Sequence, residues 1–165
     1  MRGIKRILDI LGGLIYVCII SCLLIAAPMI AGYRPVVVLS GSMEPVYKVG
    51  SVIYYKAQPF EKIEVGDAIT FRGIGGDVLV THRVVEKHPE SWTFETQGDA
   101  NGSRDPAQVS YQQVVGKASS FCIPYAGYFI NYVKQPLAIF VMTLILLAGM
   151  ATDYFVKKGK RDAAV

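Results

Sequence analysis

The sequence predicts a mainly β fold, a small antiparallel and partly barrel-like domain flanked by two transmembrane helices. Three observations lead there: two long apolar runs near the ends of the chain, basic residues bordering each run, and closely spaced short segments between them rich in β-branched and aromatic residues.

Ile10 to Ile30 carries no charge, and Ser21 is its main polar interruption. At about 1.5 Å per residue, roughly 20 residues cross a hydrocarbon core about 30 Å thick, so the run is long enough. The second run extends from about Pro136 to Val156, with Asp153 at its far edge. Arg2, Lys5 and Arg6 precede the first; Lys157, Lys158, Lys160 and Arg161 follow the second. Basic flanks stay on the cytoplasmic side, which predicts a two-pass integral membrane protein with both termini inside. Tyr33, Tyr125, Tyr128 and Tyr132 are placed to act as aromatic anchors at the outer interface. The basic start and the small residues Ala26, Ala27, Ala31 and Gly32 also permit a cleavable signal peptide. Its apolar stretch, however, exceeds the roughly 7–15 residues of a signal-peptide core, which favours an uncleaved anchor. The predicted organisation is therefore an N-terminal tip and anchor (1–32), an extracytoplasmic domain (33–134), and a second helix with a basic tail (135–165).

Composition agrees. The 165 residues are 52% hydrophobic, with a mean hydropathy of +0.37, high for a soluble domain. The net charge of +4 is no nucleic-acid signal, because seven of the 17 Lys and Arg border the two runs. The ten that remain between 33 and 134 are matched by ten Asp and Glu. The basic excess reads as topology and as weak attraction to anionic inner-leaflet lipid. Cys18, Cys22 and Cys122 supply neither a disulfide framework nor a zinc-ligand pair and are expected as buried packing residues, the last near the outer end of the second span. No cofactor or metal is called for.

In the outer domain, Val36–Leu39, Ser51–Lys56, Asp67–Arg72, Val78–Glu86, Ser91–Thr96 and Val114–Phe121 read as strands. Gly50, Gly66, Gly73–Gly76, His88-Pro89 and Asn101-Gly102 mark the breaks. Many short strands at close spacing suggest the antiparallel, barrel-like sheet. Ser119–Lys134 holds more apolar surface than a free loop needs; it lies along the membrane interface or else packs into the sheet.

The chemistry gathers at a few polar residues. A serine hydroxyl is a poor nucleophile unless a base takes its proton, and histidine, with an ordinary pKa of about 6.5, is suited to that work. Ser42 follows the first span closely, in Ser40-Gly41-Ser42-Met43-Glu44-Pro45. Of the two histidines, His82 sits in a strand-like context that would hold its rotamer, whereas His88 falls in a polar turn. Asp99 and Asp105, in a Gly/Asn-rich loop, are both candidates for the carboxylate that orients the imidazole. The Ser42 amide and the Ser40 hydroxyl are local donors for an oxyanion. Each piece alone is common in ordinary turns and strands; the combination carries the signal.

Ser40–Pro45, Gly66-Asp67-Ala68-Ile69, Thr81-His82-Arg83-Val84 and Gly98-Asp99-Ala100-Asn101 resemble the ordered boxes of type I signal peptidases. More narrowly, they resemble the Ser-His branch of the endoplasmic reticulum, archaea and some bacteria, because the common bacterial branch has a lysine where this chain has His82. The match covers about residues 36–106. The resemblance implies a signal-peptidase-type catalytic domain and cleavage of signal peptides after small residues, as in Ala-x-Ala, on the outer membrane face. It implies Ser42 as nucleophile, His82 as general base and Ser40 as oxyanion donor beside the Ser42 amide. Asp105 is favoured as the partner of His82 and Asp99 as support. Position 100 is Ala where many relatives have Asn, which weakens any role for that side chain. Precursor proteins and the lipid bilayer are the implied partners, with accessory subunits left open, and the plasma membrane is the implied site if the source is prokaryotic. Guesses for the pocket walls are Val36–Leu39, Val46 and Ile69, with Met43 either a contact or core filling. Two other readings remain: a Ser/Lys dyad drawing on Lys56 or Lys87, and a non-enzymatic membrane-anchored β-domain adaptor.

Overall fold

A computed structural model describes residues 2–73, 75–76 and 78–162. Ile74, within the predicted Gly73–Gly76 break, and the last three residues of the predicted tail lie outside the described residues, as do the side chains of Arg2, Lys160 and Arg161. The chain falls into two compact units, Ala26–Phe129 and Met1–Ile25 with Ile130–Val165.

The second of these is helical. Helix α1 runs from Arg2 to Ala26 and gives way to a 3-10 turn over Ala27–Ala31. Pro28 explains the change, because its ring lacks an amide hydrogen and crowds the carbonyl four residues back. Helix α3 spans Pro136–Asp162. Gly3–Ala31 and Pro136–Lys158, 29 and 23 residues, are both long and apolar enough to cross a membrane. Their large side chains are mostly exposed, including Leu23, Leu24, Leu137 and Phe140, as lipid-facing helices require.

The other unit is a curled antiparallel sheet of seven strands in the order β1-β2-β7-β3-β4-β5-β6, so the fold is mainly β as the sequence predicts. The strands are β1 (Arg34–Val37), β2 (Val52–Lys56), β3 (Ala68–Arg72), β4 (Leu79–His88), β5 (Thr93–Gln97), β6 (Val109–Ser110) and β7 (Val114–Ile123). Pairing is antiparallel throughout. β6 is the strand that sequence reading misses.

Alternation assigns the faces. In β3, Ile69 joins a core of Phe60, Ile63, Phe71, Val84, Phe94 and Val109, while its neighbour Ala68 joins Met43, Tyr47, Ile53 and Ala118. The sheet therefore carries apolar packing on both sides. Full burial of a side chain such as Phe94 stabilises the fold by roughly 1.5–3 kcal/mol. Cys122 lies in β7 opposite Ile53, not at the end of a span, and all three cysteines are free and only partly buried, short of the full burial expected.

Ser119–Lys134 is not one element. Its first residues complete β7, and Ala126–Val133 forms a short helix, α2. Gly127 donates to the carbonyl of Gly50 at 2.9 Å, and Gly50 donates to Val38 at 2.9 Å. At Gly50, with φ of +80°, a Cβ would fall 2.0 Å from the Tyr128 ring, so only glycine allows this docking. Tyr125 and Tyr128 remain exposed.

Candidate active site

The chain leaves β1 extended, reaches Ser40 at φ −131° and ψ 160°, and then tightens into a 3-10 turn over Gly41–Met43. Met43, 2% exposed, pegs this turn into the core, which leaves the preceding Ser42 partly open at the surface. Tyr47, buried just beyond, donates its hydroxyl to the carbonyl of Ser119 at 2.8 Å, and burial raises its phenol above the ordinary value. The loop after β5 holds the turn from the other side, where the Ala100 amide donates to the Ser42 carbonyl at 2.9 Å. This bond is made by the main chain, so an alanine at position 100 serves it. Gly98 permits the approach, since a Cβ there would sit 2.6 Å from the Ser42 carbonyl oxygen.

β4 presents His82 and Val84 on one face by strand alternation, with His82 opposite Ile69 in β3. His82 is 9% exposed, and its ring packs edge-on against Phe71. Its Nε2 lies 3.1 Å from Ser42 Oγ, and its Nδ1 lies 2.6 Å from Asp105 Oδ2. An ionised carboxylate can only accept, so Nδ1 carries the proton and Nε2 turns its lone pair toward the serine hydroxyl. Asp105 accepts a second bond on the same oxygen, from Thr96 Oγ1 at 2.6 Å. Ser40 Oγ stands 3.3 Å from Ser42 Oγ.

Asp99 lies elsewhere. Its two oxygens receive Nε and Nη2 of Arg83 at 2.7 and 2.6 Å, while Arg83 Nη1 donates to the Gly66 carbonyl at 2.7 Å. The bonds to Asp99 hold the Arg83 guanidinium above its already high ordinary value. Asp67, from the Gly66-Asp67 box, accepts from the Glu64 amide at 2.8 Å and from Lys117 at 2.7 Å, which pins the turn into β3. His88 sits with Glu86 and Glu95 in a cluster whose ligand atoms lie within 4.8 Å of one another. Arg104 already supplies a cation there, at 2.8 Å from Glu86 and 2.6 Å from Glu95. The lysines considered for a dyad are engaged away from Ser42. Lys56 donates to the Ala31 carbonyl at 2.9 Å, and Lys87 lies 3.6 Å from Glu64.

A cavity of about 710 Å³ opens beside the serine. Val36–Leu39 form one wall, Val78–His82 the other, and Met43, Tyr47 and Ile53 line it too, with Ser40 and Ser42 at its edge. Two of the predicted wall residues are not there: Val46 projects outward at 47% exposed, and Ile69 is sealed in the core at 0%. Tyr47, Ile53 and Val78–Thr81 were not legible as walls, because the curl of the sheet, a long-range property, brings β1 opposite the start of β4.

On an antiparallel sheet, a hydroxyl, imidazole and carboxylate aligned in this way have the geometry of a serine hydrolase triad. The chain is 38% identical over 100 residues to signal peptidase I W of Bacillus subtilis, covering 59% of this chain and 52% of that one. It is 34% identical over 102 residues to the human signal peptidase complex catalytic subunit SEC11C, covering 56% and 53%. With the human putative catalytic subunit SEC11B it shares 32% over 103 residues, covering 56% and 61%. The chain thus spans about half the length of the first curated relatives it matches. No family model matches it. These similarities agree with the resemblance read from the four sequence boxes, to signal peptidases of the endoplasmic-reticulum and archaeal type.

Proposed function

We propose that this protein is a membrane-bound serine endopeptidase that removes N-terminal signal peptides from exported proteins. The observation that carries the reading is the unbroken contact from Ser42 Oγ through His82 to Asp105, at 3.1 and 2.6 Å, beside an apolar cavity. His82 Nε2 takes the Ser42 proton as Oγ attacks the scissile carbonyl, and Asp105 steadies the imidazolium that forms. The Ser40 hydroxyl and the Ser42 amide stabilise the oxyanion, one such donor being worth about 3 kcal/mol. His82 then protonates the departing amine, and water repeats the attack on the acyl-enzyme. Asp99 acts through Arg83 to hold the loop that bears on Ser42.

The substrate is an extended segment lying along β1, an edge strand, with alternate side chains entering the cavity. Small residues before the cut, as in Ala-x-Ala, are the preference that the resemblance of the four boxes implies. The anchor (1–32) and the second helix (135–165) cross the membrane with both termini cytoplasmic, and residues 33–134 form the catalytic domain outside. The tyrosines of α2 meet the outer interface within the segment 119–134. Substrate and enzyme then share one bilayer, which raises their effective concentration. The SEC11 relatives are named as subunits of a complex, so further subunits are a natural extension.

The test is incubation of a signal-bearing precursor with the purified wild type and with Ser42→Ala, His82→Ala, Lys56→Ala and Lys87→Ala. Processing should vanish in the first two variants and persist in the lysine variants. Loss in Ser42→Ala and in one lysine variant, with His82→Ala still active, would establish a Ser/Lys dyad, and an inert wild type would favour an adaptor.

A further inference from the structure

Asp105 belongs to a stretch without regular structure, between β5 and β6. An aspartate's own rotamer sets the plane of its carboxylate only loosely, since that terminal torsion is broad. Something outside the side chain must therefore aim Oδ2 at His82 Nδ1. Thr96 is the residue placed to do it. It lies on β5, is 0% exposed, and stands opposite Val84 in the core of the sheet. Its hydroxyl donates at 2.6 Å to the oxygen that faces His82, and its carbonyl accepts the Asp105 amide at 2.8 Å. One rigid strand residue thus grips both the main chain and the side chain of a loop carboxylate. A valine would fill the same space, so packing alone does not call for a hydroxyl.

We infer that Thr96 is a positioning residue for the proposed reaction, fixing Asp105 for its bond to His82 without touching substrate. The inference rests on the function proposed above. The donated hydrogen bond is charge-assisted and holds the carboxylate in the one orientation that selects the Nδ1–H tautomer. Without it the carboxylate turns, and Nε2 is presented to Ser42 for a smaller fraction of the time.

The test compares Thr96→Val and Thr96→Ser in the full-length chain in detergent, with Asp105→Asn and the double variant Thr96→Val/Asp105→Asn. Thr96→Val should lower kcat about 10- to 100-fold, the usual worth of a hydrogen bond to a charged group, with KM unchanged. Thr96→Ser should recover most of that loss, and the acid limb of the pH–rate profile should move in Thr96→Val but not in Thr96→Ser. In the Asp105→Asn background the valine should have no further effect, since it acts through the missing carboxylate. Equal losses in Thr96→Val and Thr96→Ser, or a valine loss that persists without Asp105, would overturn the inference. If melting shows that Thr96→Val does not fold, Thr96→Cys, a much weaker donor, replaces it under the same criteria. Activity surviving in Ser42→Ala and His82→Ala would sink the functional reading itself. Loss in those two with a fully active Thr96→Val would sink only the positioning role.

Discussion

Replacing Asp105 with asparagine keeps the shape of the side chain and removes its charge. In the native site Oδ2 lies 2.6 Å from His82 Nδ1, and the two side chains are only 19% and 11% exposed, so water screens their interaction little. An amide group at that place can donate to Nδ1 as readily as accept from it. Donation would move the imidazole proton to Nε2 and point it at Ser42, the wrong tautomer for a base. The charge that steadies imidazolium is lost as well. Together these effects should lower kcat about 10³- to 10⁴-fold, equivalent to roughly 4–5.5 kcal/mol in the barrier. The assay is single-turnover cleavage of a signal-bearing precursor in detergent, with melting curves to show that the fold survives. Asp99→Asn is the control: it weakens the paired bonds to Arg83 and should lower stability by about 1.5–3 kcal/mol. Its cleavage rate, measured well below the melting temperature, should stay within about tenfold of wild type. An Asp105→Asn enzyme within tenfold of wild type, or an Asp99→Asn enzyme that is the more damaged of the two, would refute the reasoning.

Ser40→Ala removes the hydroxyl nearest the nucleophile and should lower kcat about 10²- to 10³-fold with little change in KM, read by steady-state kinetics. Gly98→Ala would drive a methyl to 2.6 Å from the Ser42 carbonyl oxygen, so the loop or the turn must shift. Displacement on the ångström scale should slow cleavage by about 10²-fold, and a wild-type rate would show that the loop does not position the serine. Acid should stop cleavage reversibly, because protonated imidazole has no lone pair at Nε2 with which to accept the serine proton. A pH–rate profile that stays flat on the acid side would remove His82 as the base.

The sequence displays chemistry more openly than geometry. Ser42, His82 and the two aspartates stand out because few residue types can do their work, and β2 to β5 and β7 stand out as runs of β-branched and aromatic residues. The choice between Asp99 and Asp105 could not be read from their shared loop. It turns on Arg83, one residue beyond His82 and therefore on the opposite face of β4, where it takes up Asp99. Thr96 is not legible because a threonine in a β run looks like strand filler, nor is β6, because two residues carry no pattern. The end of β7 and α2 read in sequence as one apolar segment; the left-handed Tyr125 and the contact of Gly127 with Gly50 mark where the chain turns from sheet to helix.

The strand order also bears on when the protein can act. β2 and β3 follow each other along the chain but are not neighbours, and β7 lies between them. The half that carries the serine is therefore knitted along the sheet to the half that carries the histidine by β7, a strand that follows both in sequence. A ribosome-bound chain stopped before Val114 contains Ser42, His82 and Asp105 yet lacks the strand that pairs with both β2 and β3, and it should be inert. On the function proposed above, such an order would hold back cutting until β7 has paired with both of its neighbours.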